Sequence, residues 1–190
     1  YLRERRKGMR AIVSEIYSPP RVTAATKLLP ELRCIPGFVL DLTTMDDQGR
    51  RWDFDDHDTR ERARALVRSQ RPMLLIGSPV CTAFSSWQNI NNRIRGAKVV
   101  EKEMERARVH LDFCIELYHE QLAAGRLFLH EHPSGASSWR VDKMMKLEAM
   151  DGVCKATADQ CQYGMVDEKG SPIKKPTTFL TNSVHIAESL

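Results

Sequence analysis

The chain has 190 residues, of which 42% are hydrophobic and 28% are charged, and its formal net charge is +4. This composition predicts a single globular domain over residues 1–190 with a substantial core, and it excludes a low-complexity protein. No apolar run is long enough to span a bilayer, and the basic N-terminal segment 1–10 lacks the apolar stretch of a signal peptide. We therefore expect a protein that is not bound to a membrane.

The five cysteines indicate an intracellular, reducing compartment. They are odd in number and widely spaced, and they form no Cys-x-x-Cys pair, which argues against a disulfide framework or a zinc ribbon. The first residue is Tyr1 rather than methionine, so we expect flanking domains in a longer chain. The cysteines are Cys34, Cys81, Cys114, Cys154 and Cys161.

Short apolar segments alternate with segments of helical periodicity along the chain. Strands are predicted at 11–17, 37–41, 73–76, 126–130, 156–165 and 177–181, and helices at 22–29, 58–69, 100–122 and 139–150. Asp58 is the predicted cap of the second helix, and Cys114 is predicted to lie in the core face of the third. The alternation predicts an α/β fold, with a mostly parallel sheet, helices on both faces and a C-terminal antiparallel hairpin at the edge.

The loop 77–85 follows the most apolar of the predicted strands and carries Cys81. In parallel sheets, reactive groups lie just beyond the carboxyl ends of the strands. Gly77 permits a sharp turn and Pro79 stiffens the loop, so the thiol of Cys81 would be held in place, as a nucleophile must be. The alternative interpretation is that Cys81 is a small buried hydrophobic residue, as most cysteines of reduced proteins are.

Two other predicted strands also end in polar residues. Asp41 ends the second strand, where an acid is typical of ribose binding in doubly wound folds. Residues 130–132 read His-Glu-His at the end of a later strand.

Four segments at these strand ends follow the motif order of one family. Residues 15–19 read Glu-Ile-Tyr-Ser-Pro where that family has Glu-Leu-Phe-Ser-Gly, and residues 77–85 read Gly-Ser-Pro-Val-Cys-Thr-Ala-Phe-Ser where it has Gly-Gly-Pro-Pro-Cys-Gln-x-Phe-Ser. Residues 131–133 echo its Glu-Asn-Val, and residues 162–164 its later Tyr-Gly segment. The chain thus resembles, over roughly residues 11–182, the catalytic domain of the S-adenosylmethionine-dependent DNA cytosine carbon-5 methyltransferases. The resemblance implies a Rossmann-like methyltransferase fold and a transferase that binds and methylates DNA.

The resemblance also implies roles for individual residues. Cys81 would add to carbon 6 of a flipped-out cytosine, and Glu131 would act as the acid at ring nitrogen 3. The cofactor would be S-adenosylmethionine, bound by Tyr17, Ser18, Asp41, Asp53, Phe54 and Pro79. The DNA substrate, or RNA as its alternative, would be contacted by Thr82, Ser85, Arg93, Arg95, Lys174 and Lys175. No metal is implied.

The sequence also departs from the family. Residues 19–22 read Pro-Pro-Arg-Val in place of glycines that let the family's backbone approach the cofactor, and His132 replaces an asparagine. The Gln-x-Arg-x-Arg segment is absent, as are a target-recognition domain and the usual C-terminal helix. The nearest fit is a diverged module of the kind found within retrotransposon and other mobile-element polyproteins, which would act in the nucleus of a eukaryote.

Three other interpretations compete with methyl transfer. His130 and His132, with Asp41 or Asp56, could ligate a metal in a hydrolase. Cys81 and His130 could form a thiol-hydrolase pair. Alternatively, a catalytically inactive domain could serve nucleic-acid binding or scaffolding in a mobile-element polyprotein.

Overall fold

The computed structural model describes residues 11–29, 31, 33–85, 88 and 94–190. Its strands are β1 (Ala11–Ile16), β2 (Cys34–Leu40), β3 (Leu74–Gly77), β4 (Leu127–Pro133), β5 (Cys154–Asp159) and β6 (Pro176–Thr181). Its helices are α1 (Val22–Leu28), α2 (His57–Gln70), α3 (Ala97–Ala123), α4 (Asp142–Glu148) and α5 (Val184–Glu188), and single 3₁₀ turns occupy Thr82–Phe84, Ser137–Arg140 and Gln160–Tyr163. The predicted alternation of strands and helices is confirmed.

Helix α2 shows how local signals set the element bounds. Its N-cap is Asp56, whose carboxylate accepts a hydrogen bond from the Thr59 backbone at 2.8 Å, so the prediction of Asp58 as the cap was wrong by two residues. The helix buries Ala63 and Val67 on one face. It ends at Arg71, which adopts the left-handed conformation just before a proline.

The six strands form one mixed sheet in the order β2-β1-β3-β4-β6-β5. The pairs β1–β2, β1–β3 and β3–β4 are parallel, whereas β6 is antiparallel to both β4 and β5. The predicted antiparallel hairpin at the sheet edge is therefore confirmed. Within this hairpin, β6 lies between β4 and β5 and β5 forms the edge of the sheet, in keeping with the greater burial of β6.

Helices cover both faces of the sheet, as neighbouring residues of β1 demonstrate. The Glu15 carboxylate is hydrogen-bonded to the start of α1, while the next residue, Ile16, packs in the main core with Tyr118 and Cys114 of α3. The core position predicted for Cys114 is confirmed, since it is fully buried. Burial of each large apolar side chain in this core contributes about 1.5–3 kcal/mol.

The sheet order brings three strand ends together. Strands β1, β3 and β4 are adjacent and parallel, so their carboxyl ends lie at one edge. From β1 the chain passes through α1 to β2 on one side, and from β3 it passes through α3 to β4 on the other. Ligands of open α/β sheets bind at such a switch point, here between β1 and β3. Within the described ranges, no helix is both long enough and apolar enough to cross a bilayer.

Candidate functional site

The loop after β3 holds Cys81 against the sheet. Gly77 ends the strand against the Tyr118 hydroxyl, and a Cβ at that position would force the Tyr118 side chain to shift. The Ser78 backbone N–H donates to the Ile16 carbonyl at 3.2 Å, which joins the loop to β1. Half-buried Cys81 then begins the turn Thr82–Phe84, anchored by the buried Phe84. The thiol is thus held at the carboxyl end of β3, as predicted.

His132 fastens the same loop from β4. Its Nε2 lies 2.9 Å from the Pro79 carbonyl oxygen and its Nδ1 lies 2.7 Å from the Ser138 hydroxyl. Because a carbonyl can only accept, Nε2 carries the proton and Nδ1 accepts from Ser138. Burial lowers the pKa of His132 to about 4, so the ring is neutral at pH 7. His132, which stands where the resembled family has asparagine, therefore braces the loop that carries Cys81.

Glu131, the next residue toward the N terminus, points to the opposite face of β4. Its Oε1 is buried and has no hydrogen-bond partner among the described residues. Burial raises the pKa of this carboxyl group, and the nearby cations Lys175 and Arg21 and the Ser78 hydroxyl oppose that rise. A carboxyl group with one unsatisfied oxygen and a raised pKa is suited to donate a proton to a bound ligand.

Glu131 and Lys175 are both close enough to Cys81 to affect the ionisation of its thiol. Burial raises the pKa of the Cys81 thiol, the negative charge of Glu131 raises it further, and Lys175 lowers it. Protonation of Glu131 would therefore favour the thiolate of Cys81. The structure brings together the two predicted catalytic residues and one predicted substrate contact.

The end of β1 carries Tyr17 in a strained conformation. Its φ is 56°, in the left-handed region that residues other than glycine seldom occupy, and such strain is concentrated at ligand sites. Its ring lies 4.4 Å from that of Phe54, centroid to centroid, and its hydroxyl donates to His110 Nδ1 at 2.8 Å. Burial raises the pKa of the Tyr17 hydroxyl.

His110 of α3 completes a buried hydrogen-bonded chain behind Tyr17. Its Nε2 lies 3.0 Å from Asp55 Oδ1, and Asp55 is also paired with Arg106. The pKa of His110 is lowered because burial outweighs the attraction of Asp55. The neutral ring donates through Nε2 and accepts through Nδ1, which holds the Tyr17 hydroxyl in one orientation.

The remaining predicted cofactor residues differ in how accessible they are. Asp41 is largely buried, and its Oδ1 accepts from the backbone and hydroxyl of Thr43, while Oδ2 has no partner among the described residues. Ser18 is buried, and its hydroxyl is shared between Glu15 and the Pro19 carbonyl. The Phe54 ring is fully buried against Tyr17, so it supports the Tyr17 ring and is not itself exposed to a ligand, whereas Asp53 beside it is exposed.

Glu15 occupies the start of α1, where the sequence departs from the family. Its carboxylate accepts from the backbone N–H groups of Arg21, Val22 and Thr23 at 2.8 to 3.3 Å. It also accepts from the Thr23 hydroxyl. These N–H groups are therefore unavailable to an external anion.

Among the predicted substrate residues, those that the structure describes differ in exposure and in pairing. Thr82 and Lys175 are exposed and Ser85 is half-buried. Arg95 is paired with Glu103, and exposed Lys174 lies 3.8 Å from Asp159. Arg93 lies outside the described residues.

Two pockets flank this edge of the sheet. The larger, about 890 Å³, lies on the α1 face; its lining includes Ser18, Ser78 and Glu131 above an apolar floor of Leu129 and Phe179. The smaller, about 370 Å³, lies on the α3 face between the loop after β2, the Cys81 loop and His110. Cys81 itself lines neither pocket. Its loop contributes Ser78 to the larger pocket and Val80 and Thr82 to the smaller one.

The geometry does not favour either hydrolase interpretation. Both ring nitrogens of His132 are occupied, and Asp41 lies on β2, separated from β4 by two strands. His130 is fully buried, and its Nδ1 is bonded to the Tyr118 hydroxyl at 3.1 Å. In the described part of the chain, no three His, Cys, Asp or Glu side chains are grouped as metal ligands.

The comparisons with known proteins add no relative. No protein-family model and no curated protein matches this chain.

The sequence did not point to Glu15, His110 or Ser138 as parts of the site. Glu15 lies in the segment 15–19 that resembles the family motif, and its position in a strand directly before a helix is the signal that could have identified it. His110 lies in α3, 93 residues from Tyr17, so no local pattern could have joined the two.

Proposed function

We propose that this chain transfers a methyl group from S-adenosylmethionine to carbon 5 of cytosine in DNA, through a covalent adduct of Cys81. The observation that supports this best is the pairing of a held thiol with a carboxyl group that has a free, buried oxygen and a raised pKa. Addition to a cytosine ring needs both groups, because the sulfur bonds to carbon 6 and the acid donates to ring nitrogen 3.

The residues have complementary tasks in such a reaction. The thiolate sulfur of Cys81 forms a bond to carbon 6, and the electron pair of the carbon 5–carbon 6 double bond moves between carbons 4 and 5. The electron pair of the carbon 4–nitrogen 3 double bond then moves onto nitrogen 3. Protonated Glu131 donates to ring nitrogen 3, which stabilises the charge that develops there. Loss of the proton from carbon 5 later allows the sulfur–carbon bond to break. When bound, S-adenosylmethionine would supply the methyl group that forms the new bond to carbon 5, and S-adenosylhomocysteine would leave with the electron pair of the broken sulfur–methyl bond.

The start of α1 supports a cofactor without phosphates. Dinucleotide cofactors place a pyrophosphate at the N-terminal N–H groups of the first helix. Here Glu15 takes those groups, and its negative charge would repel a phosphate. S-adenosylmethionine has no phosphate, and its ribose hydroxyls would donate to Asp41 Oδ2 at the end of β2, since Oδ1 is already bonded to Thr43.

An adduct experiment tests the proposal. Wild-type protein, S-adenosylmethionine and an oligonucleotide containing 5-fluorocytosine should form a stable covalent complex, because fluorine prevents the loss of a proton from carbon 5. Cys81→Ser should form none. If neither DNA nor RNA gives an adduct while S-adenosylmethionine still binds, Cys81 is not the nucleophile.

A second candidate is a catalytically inactive nucleic-acid-binding or scaffolding domain of a mobile-element polyprotein. The raised pKa of Cys81 favours it, because activated cysteines usually have a lowered pKa. Oligonucleotide binding without S-adenosylmethionine binding and without an adduct would support this candidate.

A further inference from the structure

Arg21 occupies a position in the larger pocket that the resemblance did not assign. It stands where the family has glycine, directly before α1, and among the residues that line the 890 Å³ pocket it is the one cation. The other charged lining residues are Glu15 and Glu131. Any anionic group that enters this pocket therefore meets a single positive side chain.

The guanidinium of Arg21 is available for a ligand. It is exposed, and within the described part of the chain it has no ion-pair partner. Its backbone N–H, in contrast, is taken by Glu15. An oxyanion at this end of the pocket can thus be bound by the side chain of Arg21 and not by the helix start.

Arg21 lines the same pocket as residues from the ends of β1, β3 and β4. Ser18 at the end of β1 and Ser78 at the end of β3 line the same pocket, at the switch point of the sheet. Arg21 is also near enough to Glu131 to lower the pKa of that carboxyl group. A ligand bound across the switch point would place its charged end beside α1 and its reacting end toward Glu131 and Cys81.

We propose that Arg21 binds the carboxylate of the amino-acid end of S-adenosylmethionine, and so supplies by its side chain the anion contact that the helix start cannot make. This inference rests on the proposed function. A guanidinium and a carboxylate form paired, charge-assisted hydrogen bonds, which are among the stronger contacts available to a small ligand. A nucleic-acid phosphate is the other source of an oxyanion that could meet the same side chain.

The test compares ligands with and without the carboxylate. Arg21→Ala should weaken binding of S-adenosylmethionine and S-adenosylhomocysteine by about tenfold or more in calorimetric titrations. It should leave binding of 5′-methylthioadenosine, which lacks the amino-acid end, unchanged, and Arg21→Lys should retain part of the affinity. Lys27→Ala is the matched control, since Lys27 is an exposed cation on the same short helix that does not line the pocket.

The outcomes separate this inference from the proposed function. If the wild type binds S-adenosylmethionine and Arg21→Ala binds it equally well, Arg21 is not the carboxylate ligand, although methyl transfer stands. If Arg21→Ala weakens oligonucleotide binding and reduces its salt dependence but spares S-adenosylmethionine, the oxyanion is a phosphate and the inference is overturned. If the wild type binds none of the three small ligands, the proposed cofactor and this inference fail together. Circular dichroism of each variant establishes that it is folded.

Discussion

The two halves of the site differ in how fully their polar groups are satisfied. At the ends of β1 and β2, Tyr17, Ser18 and Glu15 are all bonded to other parts of the protein, and Asp41 keeps one oxygen free. At the ends of β3 and β4, the loop is braced by His132, yet Glu131 keeps a buried oxygen without a partner. A buried unsatisfied group costs about 1–3 kcal/mol, and under the proposed function a bound cytosine would offset that cost at Glu131.

Under the proposed function, this difference corresponds to a division between cofactor binding and chemistry along one sheet edge. The β1–β2 half is preorganised by internal bonds, as a binding surface must be. In the β3–β4 half, His132 braces the loop backbone while Glu131 Oε1 is left without a partner. Four measurements test this contrast between the two halves of the site.

The largest effect is expected at Glu131. Glu131→Gln should slow methyl transfer by about a hundredfold or more, because the acid acts chiefly as charge develops on the ring. Binding of S-adenosylmethionine should be unaffected. Single-turnover rates with saturating DNA measure the first effect, and calorimetric titration measures the second.

Asp41→Ala should have the complementary effect. Loss of the acceptor for the ribose hydroxyls should weaken S-adenosylmethionine binding by roughly 1–3 kcal/mol, with a much smaller change in the chemical step at saturation. The same two assays apply. If Glu131→Gln loses the cofactor and Asp41→Ala does not, the assignment of the two halves is reversed.

His132 should make the stability of the protein depend on pH. Its pKa of about 4 in the folded protein lies below its ordinary value of 6.5, so the unfolded state binds the proton more readily. The stability that this shift contributes is complete above pH 6.5 and is lost as the pH falls toward 4. Between pH 8 and pH 5, the free energy of unfolding should fall by about 2 kcal/mol through His132. Urea unfolding should show a smaller loss in His132→Asn, in which buried His130 still titrates. Equal losses in both proteins would show that His132 is not held neutral by the fold.

The smallest effect is expected in the reactivity of the Cys81 thiol. Glu131→Gln removes a negative charge, lowers the pKa of Cys81 and should speed its alkylation by iodoacetamide at pH 7.5. Lys175→Ala should raise that pKa and slow the reaction, each change being about two- to tenfold. Peptide mass spectrometry follows Cys81 separately from the other cysteines. Lys146→Ala, at an exposed cation of α4, is the control, and unchanged rates in both test variants would show that the three groups are not coupled.

Local patterns in the sequence were sufficient to predict most of the elements and the position of Cys81. Alternating apolar runs and helical periodicity show which side chains of an element are buried, and these patterns can be read from residues close together in the sequence. The misplaced cap of α2 has a local cause as well, because Asp56 and Asp58 both suit the position and only the backbone conformation distinguishes them.

The sequence by itself determined that an α/β chain carries a thiol and a carboxylate at the ends of neighbouring apolar segments. Only the tertiary structure decided which groups are satisfied. It joined His132 to Pro79 and His110 to Tyr17, across 53 and 93 residues of chain, and it left one oxygen of Glu131 without a partner. The physical reason is that burial and hydrogen bonding, and hence the pKa of a group, depend on neighbours from distant segments, which no local pattern specifies.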